Sequence, residues 1–251
     1  MDFFEPDLKS VRASSEWAKQ MRDTPNFGDW VSAYYVRRRF ASRLGAEHIA
    51  TRRALACLSA VVRLHEPETV LEFGMGIGTI TYLLLSTLPK LNVIGLETNP
   101  FCLTQLDRNI PDELKPRLRV VTERNATLDG PFDLVVIDGR LPEADNWSFL
   151  RQGTIFFVEG NRAGQCATLI RSANSKNLVF DLEKQSIGEA YLSWRKTRLG
   201  IPRPIRARRK TCRIGVALNA EDKAVIAELA IGPRELAPGT HSCSRSSKSV
   251  S

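Results

Sequence analysis

The stretch TVLEFGMGIGTITYLLL, from Thr69 to Leu85, joins two apolar runs through three glycines. Gly74, Gly76 and Gly78 stand at alternate positions. A glycine lacks a Cβ atom, so another group can approach its backbone closely. The first run predicts a buried strand, and the second predicts a helix whose first N–H groups are free to bind. A strand, a glycine turn and a helix N-terminus together predict a binding site at this turn.

Short apolar strands alternate with helical stretches downstream of the turn. The predicted strands are TVLEF (69–73), NVIGLE (92–97), RLRVVT (117–122), FDLVVID (132–138), GTIFFVE (153–159), NLVFDLE (177–183) and CRIGVAL (212–218). This alternation predicts an α/β fold in three layers, with an open, mostly parallel seven-stranded sheet. The connection at 186–210 is polar and basic and is interrupted by Gly200, Pro202 and Pro204, so we expect a loop there and an antiparallel last strand.

Residues 1–65 carry no strong strand pattern and predict an N-terminal helical cap. Within it, 14–23 and 37–64 have helical spacing, and Pro25 and Gly28 are expected to separate them. We expect Trp30, Tyr34 and Tyr35 to pack between helices, with a place in an acceptor pocket as the alternative. The predicted core is 66–220, and 221–251 is expected to form a short helix and a disordered tail.

Composition restricts the class of protein. The five cysteines are scattered and form no Cys-x-x-Cys pair, which predicts reduced thiols in a cytoplasmic protein. No apolar run approaches the roughly 20 residues needed to span a bilayer. The opening MDFFEPDLKS lacks the basic and apolar parts of a secretory signal. We therefore expect no membrane partner.

The spacing of the glycines disfavours two phosphate-binding turns. A dinucleotide turn requires G-x-G-x-x-G, but its third glycine is replaced by Thr79 when counted from Gly74 and by Thr81 when counted from Gly76. A G-x-x-x-x-G-K-[ST] loop is absent as well. A carboxylate at Glu72 would repel a phosphate and suit a cation or ammonium group.

At this point VLEFGMGIG resembles the first motif of the class I S-adenosylmethionine-dependent methyltransferases, and the resemblance continues over most of the domain. In outline the chain is closest to small-molecule O-methyltransferases. The resemblance implies a Rossmann-like fold and S-adenosyl-L-methionine as cofactor. It implies that Gly74, Gly76 and Gly78 admit this cofactor, while Glu72 and Glu97 hold its amino-acid and ribose ends.

The same resemblance assigns roles to the later strand ends. Thr98 follows Glu97 at the end of the second strand and shares its cofactor role. The adenine is expected to lie among Glu123, Arg124, Asn125 and Ala126, with Asn125 or Glu123 as its polar partner. Asp138, at the end of the fourth strand, is expected beside the cofactor's methyl group. There it is either a catalytic base or a cofactor contact.

Metal-dependent members of the family place an acid after the fourth strand and an Asp-Asn pair after the fifth. Asp138 matches the acid, but Glu159 and Gly160 stand where the pair should be, and Asn161 comes one position late. No metal ligand is therefore predicted.

The chain also lacks the motifs of two kinds of nucleic-acid methyltransferase. Amino-group methylation of adenine usually uses Asn/Asp-Pro-Pro-aromatic after the fourth strand, where this chain has DGRLPE. Methylation of cytosine at C5 needs a cysteine near that loop, and none occurs between Cys102 and Cys166.

The positive charge is concentrated near the end of the chain. The net charge is +8, and nine cations lie between Glu189 and Glu221 with no acid among them: Arg195, Lys196, Arg198, Arg203, Arg206, Arg208, Arg209, Lys210 and Arg213. Such a segment would attract an anion. The predicted function is O-methylation of a small anionic or hydroxylated acceptor.

Three alternatives stay open. The basic loop at 195–213, with Tyr191 and Trp194 beside it, would suit an RNA methyltransferase. A non-catalytic scaffold that keeps the nucleoside pocket and a nicotinamide-dependent oxidoreductase are the others. His48 is expected to be a surface or core histidine, with a place over the cleft as the alternative. The pattern is compatible with a monomer or a homodimer.

Overall fold

The computed structural model describes residues 25–123, 128, 130–141, 149–160, 162–182, 187–196, 202–210 and 212–219, and of 187–196 and 202–210 only the backbone. The helices are α1 (Phe27–Ala41), α2 (Arg52–His65), α3 (Thr79–Thr87), α4 (Pro100–Asn109) and α5 (Ala163–Ser175), with 3₁₀ turns at Ala46–His48 and Lys115–Arg117. The strands are β1 (Thr69–Phe73), β2 (Asn92–Leu96), β3 (Leu118–Val121), β4 (Leu134–Ile137), β5 (Ile155–Glu159), β6 (Leu178–Leu182), β7 (Ile187–Lys196), β8 (Pro202–Lys210) and β9 (Cys212–Asn219).

Seven of the strands form one mixed sheet in the order β3-β2-β1-β4-β5-β9-β6. The pairs among β1 to β5 are parallel, and β9 is antiparallel to both β5 and β6. All seven strands expected in this sheet are present, and the antiparallel last strand is confirmed. The order reverses at β1 and β4, so a crevice opens at the carboxyl ends of these two neighbours, where open α/β sheets bind ligands.

Helices cover both faces of this sheet. Helices α2 and α3 bury leucines against one face, beside Val70 and Val136. On the other face, α5 packs near a cluster that includes Phe73, Phe149 and Phe156. Each fully buried side chain of this size contributes about 1.5–3 kcal/mol relative to exposure. These two apolar layers hold the sheet whose edge carries the site.

The N-terminal helices differ from the prediction in their limits. Helix α1 begins at Phe27 under an Asn26 cap, so Gly28 lies inside its first turn and does not separate two helices. The expected helix at 37–64 is broken, because Gly45 adopts a left-handed φ of 87° and Thr51 caps a new helix. A buried Asp29 accepts hydrogen bonds from Ser59 and Arg63 and fixes α1 on α2.

The predicted loop at 186–210 was wrong, since β7 and β8 form an antiparallel hairpin in a sheet of their own. Pro202 and Pro204 argued against a strand because proline cannot donate a backbone hydrogen bond. They are two residues apart, so their nitrogen atoms lie on the same edge of β8. In a two-stranded sheet, each strand has an open edge that tolerates proline.

The aromatic residues of α1 are also placed differently from expectation. Trp30, Tyr34 and Tyr35 are exposed, so the prediction of packing between helices was wrong. In the described part of the chain, every helix is too short or too polar to cross a bilayer. The predicted helices at 14–23 and 220–230 and the predicted disordered tail lie outside the described residues, and the limits of the cap and core stay predictions.

Candidate functional site

The glycine turn connects the carboxyl end of β1 to the N-terminus of α3. Gly74, Gly76 and Gly78 all have left-handed φ angles, of 81°, 53° and 93°. A side chain is strained in this region, so the sequence needs glycine at each position to make the turn. Helix α3 starts immediately after Gly78, which leaves the first N–H groups of the helix at the crevice.

Only one of the three glycines borders open space. A Cβ atom on Gly74 would lie 2.3 Å from the Cα atom of Gly139, at the end of β4. A Cβ atom on Gly78 would lie 2.8 Å from a methyl carbon of Leu106 in α4. A Cβ atom on Gly76 would have no described atom within 4 Å. Gly74 and Gly78 therefore serve the packing of the fold, whereas Gly76 leaves room for a ligand.

Glu97 joins the end of β2 to this turn. Its Oε2 atom accepts a hydrogen bond of 2.8 Å from the backbone N–H of Gly76. Its Oε1 atom accepts from the N–H groups of Thr98, at 2.9 Å, and Asn99, at 2.8 Å. These charge-assisted bonds fix the carboxylate beside the open glycine. Glu97 remains half-buried, and a carboxylate has about four acceptor positions, so it can accept further donors.

A cavity of about 280 Å³ lies against the open side of Gly76. Its walls come from three segments, within 45–50, 75–80 and 99–102, and from Asp138 at the end of β4. The structure thus brings Gly76, Asp138 and the segment that follows β2 to one crevice. Glu72 and Glu97 are not part of the lining, although Glu97 binds the backbone of Gly76 and Asn99, which are.

The segment at 45–50 covers this cavity, which the sequence patterns did not predict. A Cβ atom on Gly45 would lie 2.8 Å from Ile77 and 3.0 Å from Phe101, so the segment packs directly on the glycine turn. Arg37 donates a hydrogen bond of 2.9 Å to the carbonyl oxygen of Ala50 and holds the segment on α1. His48 is exposed, as expected of a surface histidine, and it also belongs to the cavity lining, which was the alternative position.

Asp138 has a cationic partner that the sequence patterns also missed. Arg162, which follows β5, forms an ion pair of 2.9 Å with the Oδ1 atom of Asp138 and also donates to its carbonyl oxygen. The Nε atom of Arg162 binds the carbonyl oxygen of Glu159 at 2.9 Å. Arg162 therefore positions the Asp138 carboxylate at the edge of the cavity. The signal was available, because β4 and β5 are neighbours and Arg162 comes three residues after β5 ends.

Glu72 lies behind the turn. It is fully buried in β1, and its Oε2 atom accepts a hydrogen bond of 2.8 Å from Thr81 in α3. In the described part of the chain its Oε1 atom has no hydrogen-bond partner. The pKa of Glu72 is raised to about 8, chiefly by burial; the hydrogen bond from Thr81 opposes this rise, while the charges of Asp138 and Glu97 add to it. The group is therefore mostly protonated at neutral pH.

The raised pKa of Glu72 makes the free energy of unfolding depend on pH. Between the ordinary pKa of 4.5 and the folded value of about 8, the folded chain keeps a proton that the unfolded chain loses. Raising the pH through this window therefore lowers the free energy of unfolding, by on the order of 3 kcal/mol from pH 5 to pH 8. We expect Glu72→Gln to remove this part of the dependence. Urea unfolding of both proteins at several pH values measures it.

The difference between the two proteins isolates Glu72, because all other titrating groups are shared. The stability of Glu72→Gln relative to the unsubstituted protein should increase steadily from pH 5 to pH 8. A difference that stays constant over this range would contradict the assigned protonation of Glu72.

The lining of the cavity is acidic. The described lining contains the carboxylates of Glu47 and Asp138 and no lysine or arginine. The pKa of the lining thiol of Cys102 is raised, by burial first and by the charge of Glu97 second, which favours the neutral thiol. A pyrophosphate would meet only repulsion from these charged groups, whereas a sulfonium or ammonium group would be attracted.

Of the other residues predicted to contact the cofactor or a metal, those that the structure describes do not line the cavity. Glu123 is exposed after the end of β3. Arg124, Asn125, Ala126 and Asn161 lie outside the described residues. Among the residues that are described, no three histidine, cysteine or acidic side chains are grouped as a metal site would require. The roles of these residues stay predictions.

Several solved structures are similar to this chain in fold, at low sequence identity. No family model and no curated protein matches the chain. It is similar to precorrin-6y C5,15-methyltransferase from Geobacter metallireducens GS-15, with 14% identity over 68% of this chain and 90% of that one, and a TM-score of 0.49.

Two other solved structures give similar values. The O-methyltransferase TomG from Streptomyces achromogenes, in complex with SAM, has 13% identity over 86% of this chain and 100% of that one, with a TM-score of 0.48. The SAH-bound Podospora anserina methyltransferase PaMTH1 has 13% identity over 87% and 98%, with a TM-score of 0.45. At these identities and scores, the functional case depends on the chain's own residues.

Proposed function

We propose that the protein is an S-adenosylmethionine-dependent methyltransferase that methylates an oxygen atom of a small hydroxylated acceptor. One observation carries this proposal: the lining of the cavity at the open glycine contains the carboxylates of Glu47 and Asp138, and no lysine or arginine is among its described lining residues. A ligand with a sulfonium and an ammonium group suits such a cavity, and a dinucleotide does not.

The described residues fit this cofactor. Gly76 leaves the open space that the nucleoside needs beside the backbone. Glu97 is held by three backbone N–H groups and presents a carboxylate that can accept hydrogen bonds from two ribose hydroxyls. Asp138, fixed by Arg162, supplies negative charge near the ammonium and sulfonium groups. Glu72 is buried behind the glycine turn, so we assign it no direct contact with the cofactor.

When bound, S-adenosylmethionine supplies a methyl group that is already activated by its positively charged sulfur. The protein's task is then to align the acceptor oxygen with that methyl group, and alignment of this kind can supply about 7–11 kcal/mol. The walls within 45–50 and 99–102 confine the acceptor and limit the access of water.

The acceptor oxygen must lose a proton if it is a hydroxyl. Two lining groups can take part, Asp138 and His48. The Asp138 carboxylate is held in an ion pair with Arg162, so we assign it to cofactor binding. An imidazole is the usual proton acceptor near neutral pH, and we assign that role to His48.

Binding of the cofactor should raise the thermal stability of the protein. At a hundredfold excess over its dissociation constant, a ligand stabilises the folded state by about 2.7 kcal/mol, which corresponds to a rise in Tm of roughly 5–10 °C. We expect S-adenosylmethionine and S-adenosylhomocysteine to produce such a rise and NAD⁺ to produce none. Differential scanning fluorimetry with equal concentrations of the three compounds measures it.

The three ligands separate the competing functions. Stabilisation by NAD⁺ alone would overturn the proposal in favour of an oxidoreductase. If neither S-adenosylmethionine nor S-adenosylhomocysteine stabilises the protein, the proposal fails, because it depends on that cofactor. A scaffold without activity would bind both compounds but would not convert the first to the second with any acceptor.

A further inference from the structure

The β7–β8 hairpin emerges from the same sheet edge as the glycine turn. β6 is parallel to β1–β5, so its chain leaves the sheet at the carboxyl edge. β9 re-enters there, because its first residue, Cys212, pairs with Glu159 at the end of β5. The hairpin between them is a separate two-stranded ribbon.

The ribbon is strongly basic, and one pair of like charges is directly opposed across it. Its two strands contain seven basic residues and a single acid, Glu189. The pairing register places Arg195 directly opposite Arg203. Like charges at directly opposite positions destabilise a hairpin, and an isolated two-stranded hairpin is marginal in water even without them. An anionic partner would offset this charge and stabilise the ribbon.

The spacing of the cations indicates the size of that partner. Positions 203–210 of β8 include five basic residues. At about 3.3 Å per residue they extend over roughly 25 Å of strand. Side chains alternate between the two faces of a strand, so Arg206, Arg208 and Lys210 share one face of β8. A single small anion can meet one or two of these three charges at once, whereas a chain of phosphodiesters along this face can meet all three. Trp194 on β7 pairs with Pro204 and therefore occupies the same face, where it adds an aromatic group of the kind on which unpaired bases stack.

We propose that the β7–β8 hairpin is a binding arm for single-stranded nucleic acid. The basic strands neutralise successive phosphates, and the aromatic position at Trp194 binds bases without reading their sequence. This inference concerns a partner of the protein and does not depend on the proposed methyl transfer.

Fluorescence anisotropy with a labelled 20-nucleotide RNA, and with DNA of the same sequence, tests the arm in the full chain. The arm variant is Arg206→Gln/Arg208→Gln/Lys210→Gln, which changes three cations on one face of β8. The matched control, Lys90→Gln/Arg108→Gln/Arg171→Gln, removes the same charge from exposed positions elsewhere. The arm variant should bind at least tenfold more weakly at about 0.1 M salt. Its slope of log affinity against log salt should fall by about 2, since three phosphate contacts are lost.

The control should stay within twofold of the unsubstituted protein. Circular dichroism and thermal unfolding show whether the arm variant is folded, without reference to any ligand. Equal weakening in both variants would overturn the proposal. So would binding of phosphatidylserine vesicles in place of oligonucleotides, which would indicate a membrane surface. Competition by uridine monophosphate as effective as that by the oligonucleotide would indicate a small anion and would also overturn it.

Discussion

Glu97→Ala should lose affinity for S-adenosylmethionine by at least about 100-fold. The substitution removes the carboxylate that we assign to two ribose hydroxyls, and each hydrogen bond to a charged group contributes about 1.5–3 kcal/mol. It also removes the acceptor of three backbone N–H groups, including that of Gly76, so the turn loses part of its support. Isothermal titration calorimetry measures the affinity.

Two comparisons make this result specific. Glu113→Ala removes an exposed glutamate outside the cavity lining and should bind the cofactor like the unsubstituted protein. Glu97→Gln keeps one acceptor oxygen and should lie between the two. Circular dichroism establishes whether each variant is folded. Unchanged affinity in a folded Glu97→Ala would refute the role of Glu97.

The main sheet could be predicted because each strand is a short apolar run with turn residues at its ends. The closeness of Gly76, Glu97 and Asp138 follows from the same pattern, since the carboxyl ends of neighbouring parallel strands meet at one edge. The hairpin was missed because prolines in β8 counted against a strand. Alternating apolar residues at Ala190, Leu192 and Trp194 were the signal in its favour.

The rest of the site depends on contacts between distant segments that local patterns do not contain. Nothing in the sequence near Gly45 indicates that this turn packs on Ile77 and Phe101 and covers the cavity. Likewise, the three glycines look equivalent in the sequence. Their difference arises because Gly139 lies against Gly74 and Leu106 lies against Gly78, while Gly76 has no such neighbour among the described residues.

Gly74→Ala should therefore destabilise the fold more than Gly76→Ala. In Gly74→Ala, the new methyl group collides with the backbone of Gly139 at a left-handed φ, and we expect a loss of about 3 kcal/mol or more in the free energy of unfolding. In Gly76→Ala, the methyl group has room, and only the left-handed backbone costs about 1–2 kcal/mol. Urea unfolding measures both values.

Gly76→Ala also provides the most direct test of the central claim, which is that a sulfonium nucleoside lies against the open side of Gly76. The methyl group of Gly76→Ala would occupy space that the ligand needs, in a protein that remains folded. Calorimetric titration of this variant with S-adenosylmethionine should show binding weakened by about 100-fold or more. An affinity equal to that of the unsubstituted protein would place the ligand elsewhere and contradict the account.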